Sequence, residues 1–113
     1  HWRMDHMRRL LALPDPPTAV FFSADPLAAF YVPQLQSIGV GIPRDLSVVG
    51  YDDKEEAFHM TPPLTTVRQP MFEVGATAAR MLLGMDGSGE SVGVEPVLIK
   101  PTLMFRGSAR RLG

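Results

Sequence analysis

Two aspartates stand where a carboxylate can do chemistry. Asp25 ends the run Thr18-Ala19-Val20-Phe21-Phe22-Ser23-Ala24-Asp25, and Asp52 ends Asp45-Leu46-Ser47-Val48-Val49-Gly50-Tyr51-Asp52, with Asp53 directly after it. Each follows a short apolar run rich in β-branched or aromatic residues, the mark of a buried strand. In an open parallel sheet, ligands bind in the crevice beyond the carboxyl ends of the strands. A carboxylate there can work as an acid or base. It can also bridge hydroxyl groups, since it accepts up to about four hydrogen bonds. The plainest alternative is a helix cap. Asp25 precedes Pro26, a pairing that starts a helix with the carboxylate on free amide protons, so capping is the first reading there. Gly50 is expected to let the backbone turn sharply where the strand stops.

The elements that hold these residues follow from spacing. Met4, Met7, Leu10, Leu11 and Leu13 approximate a 3.6-residue stripe, ended by Pro14-Asp15-Pro16-Pro17. Arg3, Arg8 and Arg9 lie off that stripe and read as a solvated face. Leu27, Ala28, Phe30, Tyr31, Leu35 and Ile38 outline a second helix, with Pro33 inside it and Gly39 as a left-handed end. Two apolar strands joined through a helix predict a right-handed βαβ crossover with parallel strands, which puts Asp25 and Asp52 at one sheet edge. Residues 54–60 predict a short helix and 64–67 a third strand. A longer helix follows, with Phe72, Gly75, Ala76, Ala79, Leu82 and Leu83 on its apolar face and small residues suited to close packing. Residues 84–90 read as a flexible loop, 97–99 and 103–105 as final strands, and 106–111 as a disordered polar tail.

Composition narrows the function classes. The 113 residues are 45% hydrophobic and 20% charged, as expected of one globular domain. A net charge of −1 gives no bulk attraction to nucleic acid or anionic lipid. There is no cysteine, and His1 and His6 do not have the spacing of a helical metal pair, so no metal or other cofactor is expected. No nucleophile motif or phosphate-binding glycine loop accompanies the aspartates, so an enzyme is not expected. No run approaches the roughly 20 apolar residues of a membrane span, and no signal peptide is visible. His1-Trp2-Arg3 enters a helix without a capping residue, which predicts that the protein continues upstream.

Three stretches stand in a fixed order: Pro17 to Asp25, Ile42 to Asp53, and Thr61-Pro62-Pro63-Leu64-Thr65-Thr66-Val67-Arg68-Gln69-Pro70. Together with Leu103-Met104-Phe105-Arg106-Gly107-Ser108 they closely resemble the C-terminal part of the effector-binding region of bacterial LacI/GalR-type transcriptional regulators. The resemblance implies an α/β, periplasmic-binding-protein-like fold, here partial: a parallel sheet with flanking helices, mainly the C-terminal lobe. Residues 1–68 and 96–108 would belong to that lobe and 69–90 to the N-terminal lobe, the chain crossing between lobes at 68–70. It implies a small effector, a sugar or nucleobase-like molecule, held in an interlobe cleft. Asp52, Ala24, Asp25, Gln69 and Met71 match effector-binding positions, and Ala29, Glu56, Ala57 and Met60 match the dimer surface. At the position of Ala24 the family commonly has an asparagine. Alanine neither donates nor accepts, so the effector differs or the pocket is more apolar. The partners implied are a second copy of the chain and operator DNA. The helix-turn-helix that would read the DNA is not among these residues. The implied location is cytoplasmic, without a membrane. The alternative is an extracytoplasmic solute-binding protein of an ABC-type transporter, and the pattern over 61–70 favours the regulator.

Overall fold

The computed structural model describes residues 2–84 and 95–113. In chain order the elements are α1 (Trp2–Leu11), β1 (Ala19–Phe21), α2 (Asp25–Ser37), β2 (Ser47–Val49), α3 (Glu55–His59), β3 (Thr66–Arg68), α4 (Met71–Leu82) and β4 (Thr102–Met104). They divide into two compact units, one of His1–Arg68 with Leu103–Gly113 and one of Gln69–Thr102. The class is α/β, as expected. Most of the 84–90 loop lies outside the described residues.

In the first unit β1 and β2 are parallel, with Ala19, Val20 and Phe21 opposite Ser47, Val48 and Val49. This is the strand–helix–strand crossover that the spacing predicts. Its core gathers Met4 and Met7 of α1, Ala28, Val32 and Leu35 of α2, Val48 of β2, Ala57 of α3, and Leu46 and Leu64 from the approaches to β2 and β3. Ala28, Val32 and Leu35 lie at helical spacing, so one face of α2 is buried. The helix carries Pro33 on its exposed side. It ends in a Schellman motif: Gly39 has φ +92°, its N–H donates to Gln36 O, and Val40 N–H donates to Leu35 O. The next loop is clipped where Gly41 N–H donates to the Asp45 carboxylate. The adjacent Arg44 guanidinium and that amide bring the Asp45 carboxyl down to about 2.

β1 was expected to be buried, yet Ala19 and Phe21 are exposed. β1 is an edge strand, and only its Val20 side meets the core.

The expected disordered tail is instead an ordered part of the first unit. β2 gives Ser47 N–H to Thr18 O on one side, and on the other Val48 N–H to Ser108 O and Gly50 N–H to Thr65 O. The buried Ser108 hydroxyl donates to Val48 O and accepts from Thr65 N–H. Arg110 gives its N–H to Ser47 Oγ and its guanidinium to the carbonyls of Pro43 and Arg44. Ser108 thereby satisfies the buried N–H and carbonyl of Val48 and the buried N–H of Thr65, which would otherwise be left unpaired.

In the second unit α4 has no buried residue, and Phe72 is 90% exposed. A Cβ built at Gly75 meets nothing within 4 Å, so the small-residue face has no close neighbour among the described residues. Residues 97–99 do not form the expected strand. They lie between Pro96 and Pro101, and proline offers no donor to a ladder.

Gly50 is required by crowding, since positive φ falls on Asp52 and Asp53 rather than on this glycine. A Cβ here would run into Asp25 Oδ1 and come within 2.8 Å of Leu64 Cδ2. Gly50→Ala is therefore expected to lose about 1–3 kcal/mol in urea denaturation. Gly75→Ala, in open space inside α4, should gain up to about 1 kcal/mol of helix stability.

Candidate functional site

The carboxyl ends of β1 and β2 bring Asp25 and Asp52 to one edge of the sheet, and Asp25 N–H donates to Tyr51 O. The two aspartates have different surroundings. Asp25 is 0% exposed. Its Oδ1 accepts the Thr66 hydroxyl at 2.7 Å and its Oδ2 accepts Lys54 N–H at 2.8 Å.

Both readings of Asp25 are therefore corrected: it is neither a helix cap nor an accessible effector contact. The first residues of α2 need no side-chain cap. Asp25 N–H has Tyr51 O, Pro26 has no N–H, and Leu27 N–H has Ala24 O. The carboxylate is thereby free to turn inward. Ala24 takes the N-cap position in extended backbone, half-buried and without a side-chain bond.

Asp52 is half-buried at the tip of the turn after β2. Its N–H donates to Val67 O at 2.8 Å, and its backbone bridges to Arg68. Its φ is +110° and that of Asp53 is +56°. Two successive non-glycine residues at positive φ hold the Asp52 side chain at the sheet edge. A carboxylate so placed can accept hydrogen bonds from paired hydroxyls.

Gln69 and Met71 belong to the second unit, Gln69 half-buried and Met71 exposed at the start of α4. Of the positions matched to a dimer surface, Glu56 is exposed and Ala29 and Met60 are half-buried. Ala57 is 0% exposed inside its own chain, so its assignment to a dimer contact is corrected: it is a core residue between α3 and α2.

Sequence reasoning missed the partners of Asp53. Arg68 Nε lies 2.6 Å from Asp53 Oδ2 and Arg106 Nη1 lies 2.7 Å from Oδ1, with the carboxylate only 6% exposed. Arg106 was assigned to the tail, and no local spacing relates it to Asp53. Its hydrogen bond, joined by that of Arg68, outweighs burial and holds the Asp53 carboxyl below the usual carboxylate range. Among the described residues no group of three or more His, Cys, Asp or Glu could hold a metal ion.

Because the folded-state value for Asp53 is lowered, its charge stabilises the fold fully above the ordinary carboxylate range, and that contribution is lost as pH falls through the lowered value. Asp53→Asn is expected to cost about 1.5–3 kcal/mol at pH 7. The difference from the parent should shrink below about pH 4, measured by thermal melts across pH.

A family profile described as the periplasmic binding protein-like domain matches residues 1–109. The HTH-type transcriptional repressor CytR of Escherichia coli (strain K12) is 41% identical over 106 residues, covering 94% of this chain and 31% of the relative. Among solved structures, a transcriptional regulator CelR–cellobiose complex superposes with a TM-score of 0.76 at 38% identity, covering 91% of this chain and 31% of that one. A LacI family transcriptional regulator from Lactobacillus casei with bound sucrose gives 0.70 at 33% identity, covering 90% and 38%. The chain thus spans about a third of the length of the curated relatives it matches. In sequence and fold alike, the chain belongs to the periplasmic binding protein-like domain family, in the form found in LacI-type transcriptional regulators.

Proposed function

We propose that this chain is the effector-sensing and dimerisation part of a DNA-binding transcriptional repressor, and that its effector is a small hydroxylated molecule such as a sugar. The observation that carries the reading is Asp52, a carboxylate held past the end of a parallel strand by the Val67 and Arg68 backbone. The CelR relative holds cellobiose and the Lactobacillus casei relative holds sucrose, which supports a hydroxyl-rich effector here. The curated relatives are repressors, which favours a regulator over a transport receptor or an enzyme, and with it a cytoplasmic location. No helix among the described residues is long and apolar enough to cross a membrane.

Ala24 remains the specificity feature of this reading. With no polar side-chain atom at that position, the side chain meets the effector there by contact alone, and Asp52 carries more of its recognition. Gln69 and Met71 are proposed effector contacts on the family resemblance. Ala29, Glu56 and Met60 are proposed dimer contacts on the same ground. Operator binding is assigned to a helix-turn-helix outside these residues.

The test is calorimetric titration of the intact gene product with glucose, cellobiose, ribose and adenine. Asp52→Asn is expected to weaken the ligand that binds by about tenfold or more, as loss of a charged acceptor should. Its melting temperature should stay close to that of the parent. Unchanged affinity would remove Asp52 from the site and with it the main support for the reading.

A further inference from the structure

We propose that Arg106 is a positioning residue for the Asp52 site, acting through Asp53. The inference rests on the reading of Asp52 as the effector carboxylate.

Asp52 and Asp53 both have positive φ, at +110° and +56°. Such conformations cost about 1–3 kcal/mol each in non-glycine residues and persist only where the surroundings impose them. Contacts on three successive residues impose them. Asp52 is fixed by its N–H on Val67 O, and the following Lys54 by its N–H on Asp25 Oδ2. Between them, Asp53 is held through its side chain, one oxygen on Arg106 and the other on Arg68.

The two arginines are not equivalent. The Arg68 side chain is more than half exposed, so its ion pair is screened by solvent. Arg106 is 14% exposed and is held at every level. Its backbone N–H donates to Thr65 Oγ1 and its Nη1 also donates to Leu64 O. Its guanidinium lies 5.7 Å from the centroid of the Phe58 ring on α3. The side chain therefore reaches Asp53 from a mount fixed by Thr65, Leu64 and Phe58, and pins the turn through the Asp53 carboxylate. Arg106 contributes to effector binding by fixing the angle at which Asp52 is presented.

The geometry has a second consequence. Arg68 is the last residue of the first unit before the chain passes into the second, and Arg106 stands three residues after its return at Leu103. Asp53 thus fastens both passages to the turn that carries Asp52.

The test is hydrogen exchange by mass spectrometry on the intact gene product, comparing Arg106→Met, Arg106→Lys and Asp53→Asn with the parent. In Arg106→Met and Asp53→Asn, exchange over 51–58 is expected to rise about tenfold or more beyond any rise over 26–37, which reads only the loss of global stability. Arg106→Lys should restore part of the protection, since it returns the charge without the fork. A rise of equal size over both segments would mean that Arg106 only stabilises the fold and would overturn the proposal. No rise over 51–58 would overturn it too. If Arg106→Met does not fold, Asp53→Asn and Arg106→Lys decide by the same comparison of segments. The exchange readout does not depend on any ligand. A failed positioning role is thereby distinguished from a failed effector role, which the Asp52→Asn titration reads.

Discussion

The buried carboxylate of Asp25 is the constraint on which the first unit turns. A carboxylate out of water needs partners, and Asp25 has a hydroxyl from β3 and an amide from the segment before α3. These two bonds fasten the start of α2 to chain 29 and 41 residues further on. The arrangement leaves no room for a side chain at position 50, so glycine is required by the neighbour rather than by its own torsion. Nature of residue and geometry are inseparable here: a longer carboxyl would not fit against Gly50, and an apolar residue would strand Thr66 and Lys54.

From that fixed point the candidate site follows. Tyr51 O is taken by Asp25 N–H, Asp52 N–H by Val67 O, and the Asp53 carboxylate by two arginines. Three consecutive residues are thus held by three different parts of the chain. The two neighbouring aspartates divide the work. The one whose buried side chain is paired with two arginines holds the turn, and the half-buried one stands at the sheet edge.

The parts of this arrangement that were legible in the sequence are those encoded locally. Apolar runs bounded by turn residues located β1 and β2, and Gly39 marked the end of α2, because a strand or a Schellman end is decided within a few residues. The parts that were not legible depend on distant partners. Asp25-Pro26 carries a strong local capping signal, but amides satisfied by backbone made the cap unnecessary. Arg106, Ser108 and Arg110 read as a disordered polar tail because nothing nearby in sequence shows that their partners are Asp53 and groups of β2, β3 and their approaches, 41 or more residues away. The apolar character of 97–99 was a strand signal without a strand, since the prolines on either side withhold donors. Of the site itself, Asp52 could be found from its position after a strand, while Asp53 and its two arginines needed the fold.

The dependence of β2 on Ser108 has a consequence for how the chain is made. Val48 gives its N–H and its carbonyl to a residue 60 positions later. A ribosome adding about 5–20 residues per second leaves the Val48 groups on that side unpaired for about 3–12 seconds after Val48 has been joined. During this interval the whole of α4 is translated, so the unit begun first is finished last. An open edge beside an apolar strand is a template for pairing with another nascent chain. Closure by Ser108 brings that exposure to an end, and the order of synthesis makes residues 106–110 the latch of a unit whose other parts are already in place.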